Sequence, residues 1–531
     1  MRVFLSLCLV CLSTPAFALA PPCNSGTVYE DRNGNGQRDA GEHGLAGIRV
    51  SDGQHIVSTD AQGAYHLGVD GVRSSFVIKP AGYRAALRPD GLPDTWRTIQ
   101  YQTPPTLRFG GVPQAFPMCR DYGLQRERKP AKAMDVLLFG DPQPKSTIDV
   151  GYYERDIVAP LVGHTPARLG LTMGDLVNDD LSLYPALKAV DAKLGLPWLH
   201  TPGNHDLDFD AVRDEDSLQS FRQAFGPDTY AWEEPQANFI VLDDVIYRPG
   251  QKPAYVGGLR EDQFAFLEAY LAGADPGRLL VISVHIPFFD DAAPGVETFR
   301  RADRTRLFGL LRKFPRVLLL SAHTHAQKHY FHGPENGWLG AQPLHEFNVG
   351  AACGAYWSGV KDADGIPSAT MADGTPNGYA VLSLTAKDYR LRWFPARGPE
   401  SAQIGLHAPK VLRRGAYPAY GVFANYYMGD AQSRVEYRID EGEWKPMVRV
   451  VQADPAMLAE NIADDLAPGL RGFDRSPEAE ASVHLWRGAL PTTLAAGEHR
   501  IEVRAFDRWR GEVRASSSYR LDETGAGAGN R

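Results

Sequence analysis

The sequence predicts a layered α/β domain set between two smaller all-β regions, and three observations carry that expectation. Between about residues 130 and 395, short apolar runs alternate with segments whose apolar residues fall three and four apart, the signs of strand and helix in turn. On either side of that stretch, β-type runs are separated by turns of Gly, Asp and Asn. Oxygen- and imidazole-bearing residues follow each central apolar run, at the carboxyl edge of the implied sheet, where open α/β sheets bind ligands.

The totals set limits on partners and compartment. A chain of 531 residues accommodates about three or four domains, and 43% hydrophobic with 23% charged residues is ordinary for a globular protein. The net charge of −8 gives no reason to expect a nucleic-acid partner, which needs a basic surface. Residues 1–20 read as a secretory signal: Arg2, the apolar run Val3 to Leu12, then small residues around Ala16 to Ala20. That run is too short to span a bilayer and no later stretch is long enough, so a periplasmic or secreted chain without a transmembrane segment is expected. Loss of the signal leaves Cys23, Cys119 and Cys353. Cys23 and Cys119 bracket the first domain and should pair in an oxidising compartment, for about 4–5 kcal/mol in the chain-entropy account. Cys353 is expected as a small buried hydrophobe.

Residues 21–128 hold the strand candidates Gly26 to Tyr29, Ile48 to Val50, Ala64 to Leu67 and Phe76 to Ile78. Their arrangement resembles the B-repeat domains of bacterial surface adhesins and related carboxypeptidase-regulatory-like modules. Asp31, Asn33, Asn35, Gln37, Asp39 and Glu42 match a calcium-loop template, with Gly36 at its sharp turn. No amphipathic helices flank the loop, so an EF-hand is not expected. Calcium binding is one reading; a polar Asx-rich hairpin that needs no ion is the other.

In residues 129–400, five strand-like runs each end in a polar pattern. Val136 to Phe139 leads into Asp141 and Gln143, Leu169 to Met173 into Asp175, and the run that opens LPWLHTPGNHD and includes His200 into Asn204, His205 and Asp206. Leu279 to Val284 leads into His285, and Val317 to Leu320 into His323 and His325. Helices are expected at Tyr152 to Leu161, Leu183 to Leu194, Ser217 to Phe225, Gln263 to Leu271 and Thr305 to Phe314. A donor set of carboxylates, amides and imidazoles without thiolates suits two hard or borderline divalent ions.

Taken in order, these motifs resemble the calcineurin-like metallophosphoesterases, whose pattern is D-x-H, GD-x-x-[ND], GNH-[DE], a single His after a strand, and GHxH. The resemblance covers roughly residues 130 to 395 and implies a two-sheet β-sandwich flanked by helices. It implies a metal-dependent phosphoric ester hydrolase with two divalent cations, Mn, Fe or Zn, and a metal-bridging hydroxide as nucleophile. Asp175 would bridge both ions, with Asp141, Gln143 and His325 on one and Asn204, His285 and His323 on the other. His205 would stabilise the transition state or protonate the leaving oxygen, and Asp206 could orient its ring. The substrate would be a phosphorylated small molecule or lipid headgroup, with mono- and diesters both open.

Three positions depart from the pattern. Gln143 stands where the family has His, Ala322 where it has Gly, and either Asn178 or Asp179 could serve as the outer partner of the GD loop. The Gln143 change supports an alternative in which the fold is a catalytically impaired binding or surface protein. His200, His329, His332 and His345 are read as core or surface residues, and the acidic run Asp206 to Asp216 as mostly a solvated face. Tyr356 and Trp357 are candidate substrate contacts, with loop packing as the alternative for each. Residues 401–524 show β signals at Arg434 to Ile439, Val483 to Trp486 and His499 to Ala505, as in an immunoglobulin-like domain, with an insertion over Ala453 to Glu480. Residues 525–531 form a frayed tail.

Overall fold

Apolar runs of this length bury both faces when they lie side by side in a sheet covered by helices, and the central domain is built that way. The computed structural model describes residues 25–523, apart from 69–71, 101–102, 115–119, 291–295 and 418–419. Cys23, Cys119, the signal and the tail therefore lie outside the described residues.

One central sheet runs, edge to edge, Trp198–Thr201, Leu169–Met173, Ala133–Phe139, Gly378–Thr385, Tyr389–Pro395. Its first three strands are parallel and the last two pair antiparallel. The second runs Tyr230–Glu233, Ala237–Val241, Leu279–Ser283, Val317–Ser321, Leu344–Asn348, Lys328–His332, parallel inside and antiparallel at both edges. The sheets touch where Thr201 Oγ1 meets Ser283 Oγ at 2.7 Å, so their carboxyl ends open on common ground.

Four of the expected helices form as Tyr184–Asp191, Gln219–Phe225, Glu261–Ala272 and Arg301–Leu311. The first differs from expectation. It starts at Thr147, because Ser146 caps it by accepting from Asp149 N at 3.2 Å, and after Tyr153 it passes into a π-turn and a 3₁₀ turn that contains Pro160. Apolar spacing alone gives no sign of such a cap.

The acidic run is also corrected. Asp206 and Asp208 are fully buried and Asp216 nearly so. Asp208 accepts from Ser220 N and Oγ, and Asp216 accepts from Arg213, so these carboxylates fasten a loop.

The N-terminal region is a sandwich of two four-stranded sheets with its own core, including Val28, Val50, Leu67, Tyr122 and Leu124. Buried Lys79 ties it to the central domain through Glu234 at 2.6 Å. In the Asp31 to Glu42 loop the side chains converge, and their oxygens accept loop N–H groups. Asp31 takes Gly34 N and Gly36 N, Glu42 takes Arg32 N and Asp39 N, and Asn33 and Asn35 both donate to Asp39 Oδ2. Those bonds are the ones an Asx-rich hairpin uses.

The C-terminal region is a second sandwich, of four and five strands, and its core is continuous with that of the central domain. The insertion contains one helix, Pro455–Asp465, capped by Asp454. At the joint, buried His484 sits between Asp373 Oδ2 at 3.0 Å and Asn425 Oδ1 at 2.6 Å. Asp373 also accepts from Gln327 N at 3.0 Å, two residues beyond His325. Burial would raise the Asp373 pKa, but the hydrogen bond and charge of His484 hold it below the usual carboxylate value. Asp373→Ala is expected to destabilise the protein by about 3–5 kcal/mol, since one member of a buried pair is left alone. Urea unfolding of the variant and the parent checks this; a loss under about 1 kcal/mol, the value of an exposed pair, would contradict it.

Candidate metal centre

Each candidate ligand sits on the first turn after a strand, and the local backbone shows why those turns carry these residues. Gly174 has φ 84°, and a Cβ there would lie 2.3 Å from His285 Nδ1. A Cβ on Gly203 would meet Asp175 N and Oδ1 at 2.2 Å. Both glycines are thus required for the close approach of the loops that follow them. Asp141, Gln143, Asp175, Asp179, His323 and His325 all have positive φ, between 40° and 69°. Non-glycine residues hold that conformation at a cost of about 1–3 kcal/mol each, and such strain gathers where side chains are aimed for function.

Asp175, His285 and His323 place ligand atoms within 4.8 Å of one another. His285 donates Nδ1–H to Met173 O at 2.8 Å, which leaves Nε2 with a bare lone pair. That nitrogen faces Asn204 Oδ1 at 3.0 Å, His323 Nδ1 at 3.1 Å and Asp175 Oδ1 at 3.3 Å. Acceptors converging on one point call for a cation or a proton between them. Burial works to lower the His285 pKa, but the charge of Asp175 and its hydrogen bond carry it up to about 10. The cluster thus favours positive charge at this point, which a divalent ion would supply.

The other half holds Asp141, Gln143 and His325. His325 donates Nδ1–H to Gly354 O at 2.7 Å, so its Nε2 is free and lies 3.8 Å from Asp141 Oδ1. Burial and the Asp175 charge push Asp141 up to about 8, against the opposing pull of His285. Burial and neighbouring positive charge bring His323 down to about 3, and burial above all brings His325 down to about 4, so both imidazoles present neutral nitrogens. Gln143 Nε2 faces Asp175 Oδ2 at 3.3 Å, and Oε1 lies 3.8 Å from Cys353 Sγ. Ligation by Gln143 therefore needs its amide turned over. Cys353 is fully buried and burial pushes its thiol well up, in keeping with a small core residue that here lies beside the centre.

Asp175 joins the two halves. Its Oδ1 accepts from His205 N at 2.9 Å and faces His285, while Oδ2 faces Gln143. Burial would raise its pKa, and the charge of His285 with its hydrogen bond holds it below the usual carboxylate range. The residues present fit two divalent cations: two buried carboxylates, two amides and three imidazoles whose second nitrogens are either committed to the backbone or turned inward.

Asp206 is not the partner of the His205 ring. It is fully buried and accepts from Gly203 N at 2.8 Å, Leu176 N at 3.1 Å and Tyr184 Oη at 3.0 Å, which knots the two acidic loops together. The ring of His205 instead meets Asp179 Oδ1 through Nδ1 at 2.7 Å, which settles the choice between Asn178 and Asp179. Asp244 was not singled out by sequence reasoning. It is fully buried and accepts from His285 N at 3.0 Å and Ile286 N at 3.2 Å, bracing that ligand from behind. It follows a strand, as the candidate ligands do, and its Oδ1 is spent on backbone N–H groups while its buried Oδ2 has no hydrogen-bond partner among the described residues. His200, His329, His332 and His345 lie in the sheets away from the seven candidate ligands, among Phe225, Phe347, Glu346 and Tyr389 respectively.

Two family profiles match the chain, the N terminal of calcineurin-like phosphoesterase over residues 32–111 and the C terminal of calcineurin-like phosphoesterase over residues 346–512. Both terminal segments of the chain thus match the calcineurin-like phosphoesterases. These matches make it a metal-dependent phosphoric ester hydrolase. All seven candidate ligands lie between the two matched segments, so their placement comes from the geometry above. The C-terminal match crosses from the last strands of the central sheet into the terminal sandwich, the two parts that share a core. No curated protein matches the chain. Among solved structures, it aligns with purple acid phosphatase PPD1 from yellow lupin (Lupinus luteus) seeds at 12% identity and TM-score 0.37, over 67% of this chain and 69% of that one. It also aligns with a cold-active protein-tyrosine phosphatase of a psychrophilic Shewanella species at 11% identity and TM-score 0.23, over 62% and 96%. Likenesses this loose say nothing about the chemistry of the present site.

Proposed function

We propose that this calcineurin-like phosphoesterase is an exported two-metal enzyme that hydrolyses a phosphate mono- or diester. The observation that carries the reading is Asp175, whose two oxygens face opposite halves of a buried ligand set. Asp141, Gln143 and His325 would complete one half, and Asn204, His285 and His323 the other. Divalent ions bound by these residues would supply Lewis-acid chemistry, polarising a phosphoryl oxygen and making a water more acidic. Mn, Fe and Zn suit the donor set, and the amide of Gln143 favours the harder ions in its half.

The chain's own residues then supply orientation and a proton. Met173 O and Gly354 O fix the tautomers of His285 and His325, so each offers Nε2. Asp206 holds the backbone of the loops that carry Asp175 and Asn204. His205 is partly exposed, and Asp179 orients its ring. Burial would lower its pKa, while the Asp179 hydrogen bond and the charge of Asp175 raise it to about 9. It is therefore suited to hold a proton for the leaving oxygen.

Hydrolysis of p-nitrophenyl phosphate and its bis-ester, with manganese, iron or zinc added in turn, tests this reading and separates the ester classes. Turnover of either ester supports it. A folded, metal-loaded protein inert on both under every metal would favour the binding-protein alternative.

Export rests on residues 1–20, and a mature N-terminus at or just after Ala20 in an extracytoplasmic fraction would support it. A calcium ion in the Asp31 to Glu42 loop is part of the same proposal. Saturating calcium is expected to raise the midpoint of thermal unfolding of the N-terminal sandwich, by mass action on the folded state. Calorimetry with calcium and with chelator checks this, and coincident transitions would leave the loop as an ion-free hairpin.

A further inference from the structure

The two aromatic residues Tyr356 and Trp357 have different jobs. Trp357 is buried and donates Nε1–H to Pro142 O at 2.9 Å, between Asp141 and Gln143. Tyr356 is 46% exposed, although the backbone around it is tied to the metal centre on every side. Cys353 N donates to Asp141 O at 3.0 Å, and Gly354 O takes the His325 Nδ1 hydrogen bond. Gly354 itself allows no side chain, since a Cβ would lie 1.6 Å from Ala369 O. Tyr356 has φ 55°, a left-handed conformation that costs a non-glycine residue about 1–2 kcal/mol.

That strained backbone lays one face of the Tyr356 ring on His325, with centroids 4.4 Å apart and planes 30° apart. No second ring covers Tyr356 among the described residues. His323, the other histidine of the same motif, has Tyr255 edge-on at 6.2 Å. Each of the two histidines that lead out of Val317–Ser321 thus has a tyrosine against it, and one of the two tyrosines, Tyr356, is about half exposed. A ring whose only task was to shield His325 would gain by turning inward, as Trp357 does. Held rigid and half exposed beside a metal ligand, it loses little freedom when a second planar group settles on it.

We propose that Tyr356 is a stacking platform for the organic part of the substrate, so that this site prefers phosphoesters of planar aromatic groups to those of alkyl groups. The inference rests on the phosphoester reading, because it places the phosphoryl group on the ligands and the ester group one bond further out. The contact uses the ring face, so Phe serves as well as Tyr. No hydrogen bond of the phenol oxygen occurs among the described residues.

The test is equilibrium binding of phenylphosphonate and methylphosphonate to the metal-loaded full chain, measured by calorimetry, with p-nitrophenyl phosphate turnover on the same preparations. Stacking on an aromatic side chain is worth roughly five- to hundredfold in affinity. The parent should bind phenylphosphonate about tenfold more tightly than methylphosphonate, Tyr356→Phe should keep that preference, and Tyr356→Ala should narrow it to within about twofold. If Tyr356→Ala fails to fold or to hold metal, Tyr356→Leu keeps bulk over His325 without a π face and should show the same narrowing. Equal affinity of the parent for the two phosphonates overturns the proposal, as does a preference that survives in the Ala or Leu variant or is lost in Phe. Preference without turnover would refute the phosphoester reading alone; turnover without preference would refute the stacking role alone.

Discussion

Asp175→Ala is expected to lower kcat/KM by at least about a thousandfold and to strip metal from both halves of the centre. The several kcal/mol of transition-state stabilisation that bound cations supply would go together, because this carboxylate faces both halves. The surroundings cannot make up the loss. Asp141 is the other buried carboxylate of the ligand set, and it is committed to His323 N and His325. The His285 nitrogen would also lose its anionic neighbour. Metal analysis beside steady-state kinetics checks the expectation. A variant that keeps both ions, or loses only one with turnover intact, would show that Asp175 does not bridge.

His205→Ala should behave differently, with kcat down by about 10²–10⁴ and metal content retained. The contact that His205 makes to the centre is through its backbone N–H on Asp175, and that contact survives the substitution. Only the ring is removed, together with its hydrogen bond to Asp179. The proton-bearing form of His205 is present below its pKa and is lost as pH rises through it. Asp179 contributes to raising that pKa, so Asp179→Asn should move the alkaline limb of the kcat profile to lower pH. An unmoved limb would mean that His205 is not the group titrating, and loss of metal in His205→Ala would make it a support for the ligands instead.

The seven candidate ligands were legible because each stands one to five residues after an apolar run, and a strand end is a local feature. Gly174 and Gly203 were legible for the same reason, and the structure adds what their missing side chains make room for. Asp206 misled because it follows His205 in sequence, yet a 3₁₀ turn at Asn204–Asp206 sends the two side chains apart, one to the knot of loops and the other towards Asp179. The pairing of Gly378–Thr385 beside Ala133–Phe139 joins residues more than two hundred positions apart, which periodicity cannot register. Burial of Asp208 and Asp216 escaped notice because a row of acids reads as solvated until the partners Ser220 and Arg213 are seen. Tyr356 could be named as an aromatic near the last motif, but its separation from Trp357 depends on which of two adjacent left-handed residues turns inward.

The most direct test of the account is the metal stoichiometry of the purified mature protein, by elemental mass spectrometry after loading with manganese, iron or zinc and removal of free ion. The account predicts about two ions per chain, one for each half that Asp175 faces. A folded protein that binds only one, with Gln143 and its neighbours left empty, would contradict the two-metal centre.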